Sequence, residues 1–412
     1  MLREFRRFTS PVRILLINQL GIYLGFFMLL PYLSLYLSAQ AGLAGWAVGL
    51  VLGVRNFFQQ GMFLLGGTLT DRYGYRMPVI AGCALRTAGF ALLGVVTTLP
   101  SLIVAAMVTG LAGALFTPAV RVGLAMEAGE RRIEAFAISN IVYRVGALAG
   151  PLLGLALLTV SFRATCLAAA GVFAVLSLIQ IRALPRKQIE IREGRILHEV
   201  RGVAGNRGLI AFSLAMAGAY LLSFQMYLAI PIQARAVAGS ESDALVAALF
   251  LVAGVLALTC QLRVTAWCRR TLGPARSLPV GVGAMAVALL PPAVPAAVWG
   301  NDLAYAPLLA SCALLSLGTL IVFPFEMDTI ANLAGNRLVA THYGLYSTIV
   351  GVVILAGNLF TGSALGWAQR SGVPALPWIG LSAIGAVCAA ALYTRQLPPV
   401  PLRNAEPDCG PG

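Results

Sequence analysis

The sequence predicts an all-α integral membrane protein, with twelve transmembrane helices arranged as two pseudo-symmetric six-helix bundles. Three observations support this prediction. The chain of 412 residues is 59% hydrophobic and only 11% charged, whereas soluble domains carry about 25% charged residues. Its apolar residues fall into segments that are long enough to cross a bilayer, and most of its arginines lie between alternate segments. This composition leaves little room for a soluble domain.

Each apolar segment approaches or exceeds the roughly 20 residues that a helix needs to span the hydrocarbon core. The predicted spans are 12–37, 45–66, 78–98, 101–125, 136–158, 162–184, 208–233, 243–266, 277–297, 303–326, 342–368 and 373–394. We therefore expect an N-terminal bundle over 1–184 and a C-terminal bundle over 208–397. A polar cytoplasmic linker over 185–207 is expected to include a short amphipathic helix, and a disordered cytoplasmic tail follows over 398–412.

The positive charges predict the orientation. With the N-terminus placed in the cytoplasm, 22 of the 29 Lys and Arg residues lie on the cytoplasmic side. The opposite side receives only Arg163, Arg235 and Arg370. Four arginines lie inside spans, namely Arg55, Arg86, Arg121 and Arg144. This bias predicts a multi-pass protein of the bacterial inner membrane with both termini in the cytoplasm. The net charge of +14 then reflects topology rather than binding to nucleic acid.

Residue types that carry enzyme chemistry are scarce. The seven cysteines have no metal-ligand spacing and there are only two histidines, so we expect no disulfide framework, no metal site and no cofactor. No nucleophile–base pair is visible, which argues against a membrane enzyme. No Walker-type phosphate loop occurs, so ATP is not the direct source of energy. The basic N-terminus lacks a cleavage site and is interpreted as the start of a retained span.

Residues 67–76 read G-T-L-T-D-R-Y-G-Y-R and separate the second and third spans. We interpret them as a short loop that makes these two helices antiparallel neighbours. Glycines are expected to permit close packing and a tight turn, and the arginines to supply positive charge at the membrane surface. The residues concerned are Gly67, Asp71, Arg72, Gly74 and Arg76.

This segment resembles the loop between helices 2 and 3 of the major facilitator superfamily, which has the pattern Gly-x-x-x-Asp-Arg-x-Gly-x-Arg. The resemblance implies a transporter that works by alternating access, in which Asp71 and Arg72 help to latch the outward-facing state. The alternative is an ordinary basic loop. The two halves also resemble each other, because Pro118 to Arg131 and Pro324 to Arg337 share proline, glycine and arginine at one offset.

A second motif lies in the fifth span, where Gly146, Gly150, Pro151 and Gly154 match Gly-x-x-x-Gly-Pro-x-x-Gly. It resembles the helix-5 pattern of exporters in the superfamily, and the alternative is a generic face of small residues that packs against another helix. The first half is also similar to the MdtH-type branch of bacterial multidrug exporters. It departs from that branch at Asn18, where an aspartate is expected, and it lacks the usual arginine in the upper part of helix 4. Both departures weaken the inference that this protein shares the proton-antiport mechanism of that branch.

Polar residues inside spans are costly and therefore mark candidate sites. The predicted substrate-binding residues are Arg55, Gln59, Arg144, Tyr143, Asn140, Tyr32, Gln225 and Asn18. For Arg55 the alternative is a structural hydrogen bond to a neighbouring helix. Arg86 is interpreted as structural, and Arg121 as a side chain that reaches the cytoplasmic surface. Because in-span arginines outnumber in-span acids, the cavity is expected to favour anions.

Glu326 and Asp328, at the cytoplasmic end of the tenth span, are the candidates for proton coupling. The alternative for Glu326 is a solvated charge that pairs with Arg337 or Arg121. We predict a monomeric secondary active exporter of small organic molecules, coupled by proton antiport, which binds the lipid bilayer and no nucleic acid. Its substrates are drugs or an anionic metabolite such as a carboxylate siderophore. The alternatives are an importer of an anionic metabolite or siderophore, and a non-transport membrane protein on the same fold.

Overall fold

The structure is a computed structural model that describes residues 5, 7–185, 203–294, 298, 303–334 and 339–394. Every regular element in this part of the chain is helical. The helices of the first half are α1 (Ser10–Leu35), α2 (Gly45–Gly61), α3 (Phe63–Tyr73), α4 (Arg76–Val95), α5 (Leu99–Ala128), α6 (Arg132–Leu158) and α7 (Phe162–Ala183). Those of the second half are α8 (Arg207–Phe224), α9 (Ala229–Ala238), α10 (Ser242–Thr271), α11 (Gly273–Ala288), α12 (Ala306–Leu333), α13 (Val339–Arg370) and α14 (Leu376–Thr394).

The described helices confirm an all-helical membrane protein. Eleven segments are long and apolar enough to cross a bilayer, and one of them, Arg207–Thr271, has 65 residues. A bilayer crossing needs roughly 20 residues, so this segment is long enough for more than one crossing. The total of twelve spans stays a prediction. The predicted amphipathic helix of the linker and the predicted disordered tail lie outside the described residues.

Two of the predicted spans are interrupted. The second span divides at Met62, which has φ −96° and ψ 9° and ends α2 one residue before α3 begins. The seventh span divides between α8 and α9, where Met226, Tyr227 and Leu228 donate their backbone N–H groups to carbonyls three residues earlier. Pro231 lies in the first turn of α9, where its missing N–H costs no helical hydrogen bond.

Residues 67–73, expected to be a loop, are helical, because α3 continues to Tyr73. The turn is confined to Gly74 and Tyr75, and Gly74 has φ 77°, a conformation that favours glycine. The glycine that packs closely against another helix is Gly66, not Gly67. A Cβ atom on Gly66 would collide with the carbonyl oxygen of Ala114 in α5, whereas one on Gly67 would meet no atom within 4 Å.

The glycines of the fifth span allow α6 to lie directly against α1. A Cβ atom on Gly146 would collide with Tyr23, one on Gly150 would lie 2.5 Å from the Cβ of Phe27, and one on Gly154 would collide with the carbonyl oxygen of Met28. The contact is reinforced where the hydroxyl of Tyr32 donates to the carbonyl oxygen of Pro151 at 2.6 Å. This motif therefore sets the separation of two helices that line the centre of the molecule.

The buried apolar residues form two clusters, one drawn almost entirely from residues 8–184 and the other from 212–392. We refer to residues 7–185 and 203–394 as the N-terminal and C-terminal halves. Tyr32 and Leu35 of α1 belong to the second cluster, and Leu228 belongs to the first. The ends of the first and seventh spans therefore interlock across the boundary between the halves.

A glycine-rich surface joins the halves along α2 and α13. Cβ atoms on Gly45 and Gly49 would collide with the backbone of Gly362 and Asn358, respectively. Further along, the hydroxyl of Thr348 donates to the carbonyl oxygen of Gly61 at 3.0 Å, close to the break at Met62. The close approach of these backbones requires glycine at these positions.

Candidate substrate cavity between the two halves

A cavity of about 380 Å³ lies at the centre of the protein and is lined by both halves. Its apolar wall is largely aromatic, with Phe26, Phe27, Phe224, Phe250 and Phe323. The N-terminal half contributes the polar residues Tyr23, Gln59, Arg86, Thr117, Tyr143 and Arg144. The C-terminal half contributes Tyr220, Ser223, Tyr227, Ser316 and Thr319. Among the described residues, the lining holds two arginines and no carboxylate, so its charge is positive.

Arg86, interpreted from the sequence as structural, lines this cavity. Its side chain is only 4% exposed, and the guanidinium lies 5.8 Å from the ring centroid of Phe116 and 6.0 Å from that of Phe173. Its Nε is buried and has no hydrogen-bond partner among the described residues. A buried guanidinium that is held mainly by aromatic faces retains hydrogen-bond donors for a ligand.

Arg55 does not belong to the described lining of the central cavity. Its guanidinium donates to Asn56 Oδ1 and Gln59 Oε1, each at 2.8 Å, and lies 4.8 Å from the ring centroid of Phe26. The structure therefore gives Arg55 the role of holding its own helix neighbours. Gln59 lines the cavity, and the hydrogen bond from Arg55 fixes the orientation of its amide. Its part in substrate binding stays a prediction.

Arg144 and Tyr143 both line the cavity, and Arg144 also joins the two halves. Its Nη1 donates to the carbonyl oxygen of Ala257 in α10 at 2.5 Å. One helical turn further along α6, Leu148 lies against Gly254 of α10. Arg144 thus presents a positive charge to the cavity while it holds α6 against α10.

Four other predicted substrate-binding residues lie elsewhere. Asn18 accepts from Cys83 at 3.6 Å, and Tyr32 is bonded to Pro151. Gln225 is fully buried and donates to the carbonyl oxygen of Leu221 at 2.9 Å. Asn140 is exposed and is not among the described lining residues. These residues were predicted to bind substrate because they are polar residues within membrane spans. Their side chains instead face helix interfaces or the outer surface.

Glu326 is 1% exposed and lies outside the described lining of the cavity. Its Oε1 accepts a hydrogen bond of 3.0 Å from the hydroxyl of Tyr220, and its Oε2 is buried without a hydrogen-bond partner among the described residues. A solvated charge at a helix end, the alternative for this residue, would not be buried in this way. The side chain of Asp328 lies outside the described residues.

The signature segment makes contacts at the predicted cytoplasmic ends of the helices. Arg76 donates from Nε to the carbonyl oxygen of Leu184 at 3.0 Å and from Nη2 to that of Ile181 at 2.7 Å, and so caps the end of α7. Tyr75 donates to Glu127 Oε1 at 2.8 Å, and burial together with this hydrogen bond raises the pKa of Tyr75. Asp71 and Arg72 are exposed on the last turn of α3.

Sequence reasoning overlooked much of the polar wall, including Tyr23, Tyr220, Ser223, Ser316 and Thr319. A hydroxyl side chain in a span is cheap to bury, because it can donate to a carbonyl of its own helix, so it gives a weak signal in the sequence. Arg86 stood out in the sequence as a charge inside a span, but the sequence did not show whether its side chain points to the cavity or to another helix. Which face of a helix meets the cavity depends on packing between helices.

The fold and this cavity define a membrane transporter of small molecules rather than an enzyme. The family model described as Major Facilitator Superfamily matches residues 15–358. The chain belongs to the major facilitator superfamily and is a multi-pass membrane transporter.

Two kinds of relative match nearly the whole chain. An uncharacterised MFS-type transporter of Mycobacterium tuberculosis, Rv0849, is 51% identical over 392 residues, which cover 94% of each chain. The multidrug resistance protein MdtH of Salmonella typhimurium is 29% identical over 380 residues, which cover 92% of each chain. The similarity to MdtH confirms the resemblance seen in the sequence.

Solved structures share the fold at low sequence identity. The nucleoside transporter NupG superposes with a TM-score of 0.74 at 13% identity, covering 94% of this chain and 99% of NupG. The peptide transporter POT in complex with sulfate gives 0.74 at 15% identity, covering 93% of this chain and 94% of POT. These similarities bear on the architecture alone.

Proposed function

We propose that the protein is a secondary active exporter of small amphipathic organic anions in the bacterial inner membrane, and that it exchanges them for protons by alternating access. The observation that carries this proposal is the central cavity, with Arg86 and Arg144 in its wall and no carboxylate among its described lining residues. Two guanidinium groups in an apolar setting attract carboxylate or phosphate groups and repel cations.

The rest of the wall suits the body of such a molecule. Aromatic rings from both halves offer apolar surface to an organic scaffold, and hydroxyl groups offer hydrogen bonds at its edges. An anionic group that reaches Arg144 would compete with the carbonyl oxygen of Ala257 for the same guanidinium. Because that hydrogen bond joins α6 to α10, its loss would weaken one contact between the halves at the moment of binding.

Export and proton exchange rest on other features. The relative MdtH is named a multidrug resistance protein, and the glycine motif of α6 resembles the helix-5 pattern of exporters in the superfamily. Glu326 is a buried carboxylate that is hydrogen-bonded to Tyr220, a residue of the cavity lining. Burial disfavours the charged form of a carboxylate, so such a group can take up and release a proton as its access to water changes.

Export of cationic drugs is the second candidate function. It is favoured by the aromatic side chains of the lining, which can bind a cation through their faces, and by the name of the MdtH relatives. Arg86 and Arg144 would have to be screened from such a substrate, which makes this candidate the weaker of the two.

Transport by proteoliposomes with an imposed proton gradient separates the two candidates. Dansylglycine, an amphipathic carboxylate, and ethidium are offered side by side to wild-type protein, to Arg144→Gln and to Arg276→Gln, a control at an exposed arginine outside the cavity. We expect dansylglycine to move, Arg144→Gln to reduce its transport by at least about tenfold, since a hydrogen bond to a charged group contributes about 1.5–3 kcal/mol, and Arg276→Gln to behave as wild type. Transport of ethidium with no competition from dansylglycine would contradict the anion proposal.

A further inference from the structure

We propose that Tyr220 converts the protonation of Glu326 into a change in the hydrogen bonding of the cavity wall, and that the transported molecule carries a hydrogen-bond donor as well as an anionic group. This inference rests on the proposed function, because it concerns the same cavity and the same exchange of substrate for protons. It adds a residue that joins the two events and a chemical feature that the substrate must have.

Tyr220 is placed at the boundary between the cavity and the buried acid. It lines the cavity, and its hydroxyl donates to Glu326 Oε1 at 3.0 Å. Glu326 is 1% exposed and is not itself among the described lining residues, so a molecule in the cavity does not touch the carboxylate. Among the described residues, the hydroxyl of Tyr220 makes the polar contact that joins the cavity to Glu326.

The surroundings hold this arrangement in place. The ring of Tyr220 lies 5.2 Å from that of Phe323 and 6.3 Å from that of Tyr346, measured between centroids. The described titratable groups that face Glu326 are Tyr220 on α8 and Tyr343 and Tyr346 on α13. Arg121 of α5 acts electrostatically on Tyr220 and Tyr343 from the other half. Of the three tyrosines, only Tyr220 is among the described lining residues of the cavity.

The direction of the hydrogen bond between Tyr220 and Glu326 determines whether Tyr220 presents a hydrogen-bond donor or an acceptor to the cavity. When Glu326 is ionised it can only accept, so Tyr220 donates its single proton to the carboxylate and presents a lone pair to the cavity. When a proton from solution adds to Glu326, the new acid O–H can donate to the hydroxyl oxygen of Tyr220. The O–H of Tyr220 is then turned towards the cavity. Protonation therefore changes Tyr220 from an acceptor to a donor as the substrate meets it.

This change defines the substrate class. The N-terminal half offers donors and positive charge through Arg86 and Arg144, and the C-terminal half offers an acceptor through Tyr220 while Glu326 is ionised. A molecule with an anionic group at one end and an N–H or O–H group at the other satisfies both walls. Protonation of Glu326 removes the acceptor and loosens the molecule, so that substrate and proton exclude each other, as exchange requires.

A pair of fluorescent probes tests this inference by binding alone. Dansylglycine has a carboxylate and a sulfonamide N–H donor, and dansylsarcosine is the same molecule with the N–H replaced by N–CH₃. The full chain in nanodiscs is titrated with each probe at about pH 8 and about pH 5.5, to compare binding when Glu326 is more often ionised with binding when it is more often protonated. The variants are Tyr220→Phe, Glu326→Gln and, as the matched control, Tyr343→Phe.

At about pH 8 we expect wild-type protein to bind dansylglycine about five- to tenfold more tightly than dansylsarcosine, the effect of one hydrogen bond, and to lose this preference at about pH 5.5. Tyr220→Phe and Glu326→Gln are expected to show no preference between the two probes at either pH. Tyr343→Phe is expected to keep the wild-type preference and its dependence on pH.

The inference is overturned if Tyr220→Phe keeps the wild-type preference and its pH dependence, or if wild-type protein binds both probes equally at both pH values. Absence of dansylglycine binding would overturn the substrate class. Failure of the proposed function has a different signature. In that case the preference and its pH dependence are present in the binding assay, but no probe moves across proteoliposomes under a proton gradient.

Discussion

Arginine side chains in and beside the helices are held by carbonyl, amide and aromatic groups. Arg76 donates to the carbonyl oxygens of Leu184 and Ile181, and Arg144 donates to that of Ala257. The Arg76 pairing stabilises a positive charge at a helix end, where carbonyl groups have no partner within the helix. Arg144 instead bonds an uncharged carbonyl oxygen in the middle of α10.

Replacement of Arg76 by alanine removes two hydrogen bonds that tie the start of α4 to the end of α7. We expect Arg76→Ala to lower the free energy of unfolding by about 1–2 kcal/mol, because these bonds are partly exposed. Arg72→Ala is the matched control, since Arg72 is exposed and its guanidinium lies 5.7 Å from the ring of its neighbour Tyr73. Thermal unfolding in detergent measures both, and an equal effect of the two variants would contradict this capping role.

The sequence identified the in-span arginines as important residues but not the direction in which each one points. Arg55 was expected to face the cavity and instead bonds Asn56 and Gln59, whereas Arg86 was expected to be structural and faces the cavity. A charged residue inside an apolar segment stands out in a sequence because placing it at membrane depth is costly. The rotation of a helix about its axis depends on its neighbours, so the sequence of one helix does not determine it.

At the scale of helices, glycine is required where two backbones approach closely. Gly66 of α3 faces the carbonyl oxygen of Ala114 in α5, and Gly154 of α6 faces that of Met28 in α1. Glycines at other positions, such as Gly67, meet open space. The sequence pattern therefore contains glycines with different structural requirements.

The adjacent glycines Gly66 and Gly67 allow a direct comparison. We expect Gly66→Ala to destabilise the protein by about 1–3 kcal/mol, because the added methyl group forces α3 away from α5. Gly67→Ala is expected to be neutral or to stabilise by up to about 1 kcal/mol, since alanine favours a helix over glycine. Expression level and thermal unfolding measure both. Equal loss in the two variants would contradict the assignment of the packing contact to Gly66.

Helix positions were predictable because the thickness of the bilayer fixes the length of an apolar segment. Most predicted spans begin or end within a few residues of the observed helices, such as 162–184 against Phe162–Ala183. The interruptions at Met62 and between Phe224 and Ala229 were not predicted. Neither contains a proline at the break, which is the usual sequence signal for an interrupted helix. Charges at 71–72 suggested a loop, although the helix continues past them.

At the scale of the molecule, the two halves meet along paired helices around the cavity. The described side-chain hydrogen bonds that cross between them are Arg144 to Ala257, beside the cavity, and Thr348 to Gly61, on α13 and α2. Close glycine contacts with few described hydrogen bonds suit the proposed alternating access, in which the halves separate and meet again. Gly45, Gly49 and Gly53 are spaced four residues apart, a sequence pattern that is typical of closely packed helices and that matches this interface.

The exchange of substrate for protons is the central claim, and one measurement addresses it directly. Inverted membrane vesicles are acidified inside, their proton gradient is followed with a pH-sensitive dye, and dansylglycine is added outside. We expect addition to release protons from vesicles with wild-type protein and to leave those with Glu326→Gln unchanged, since the glutamine side chain cannot exchange a proton. Release of protons by Glu326→Gln at the wild-type rate, or movement of the probe without any movement of protons, would contradict the account.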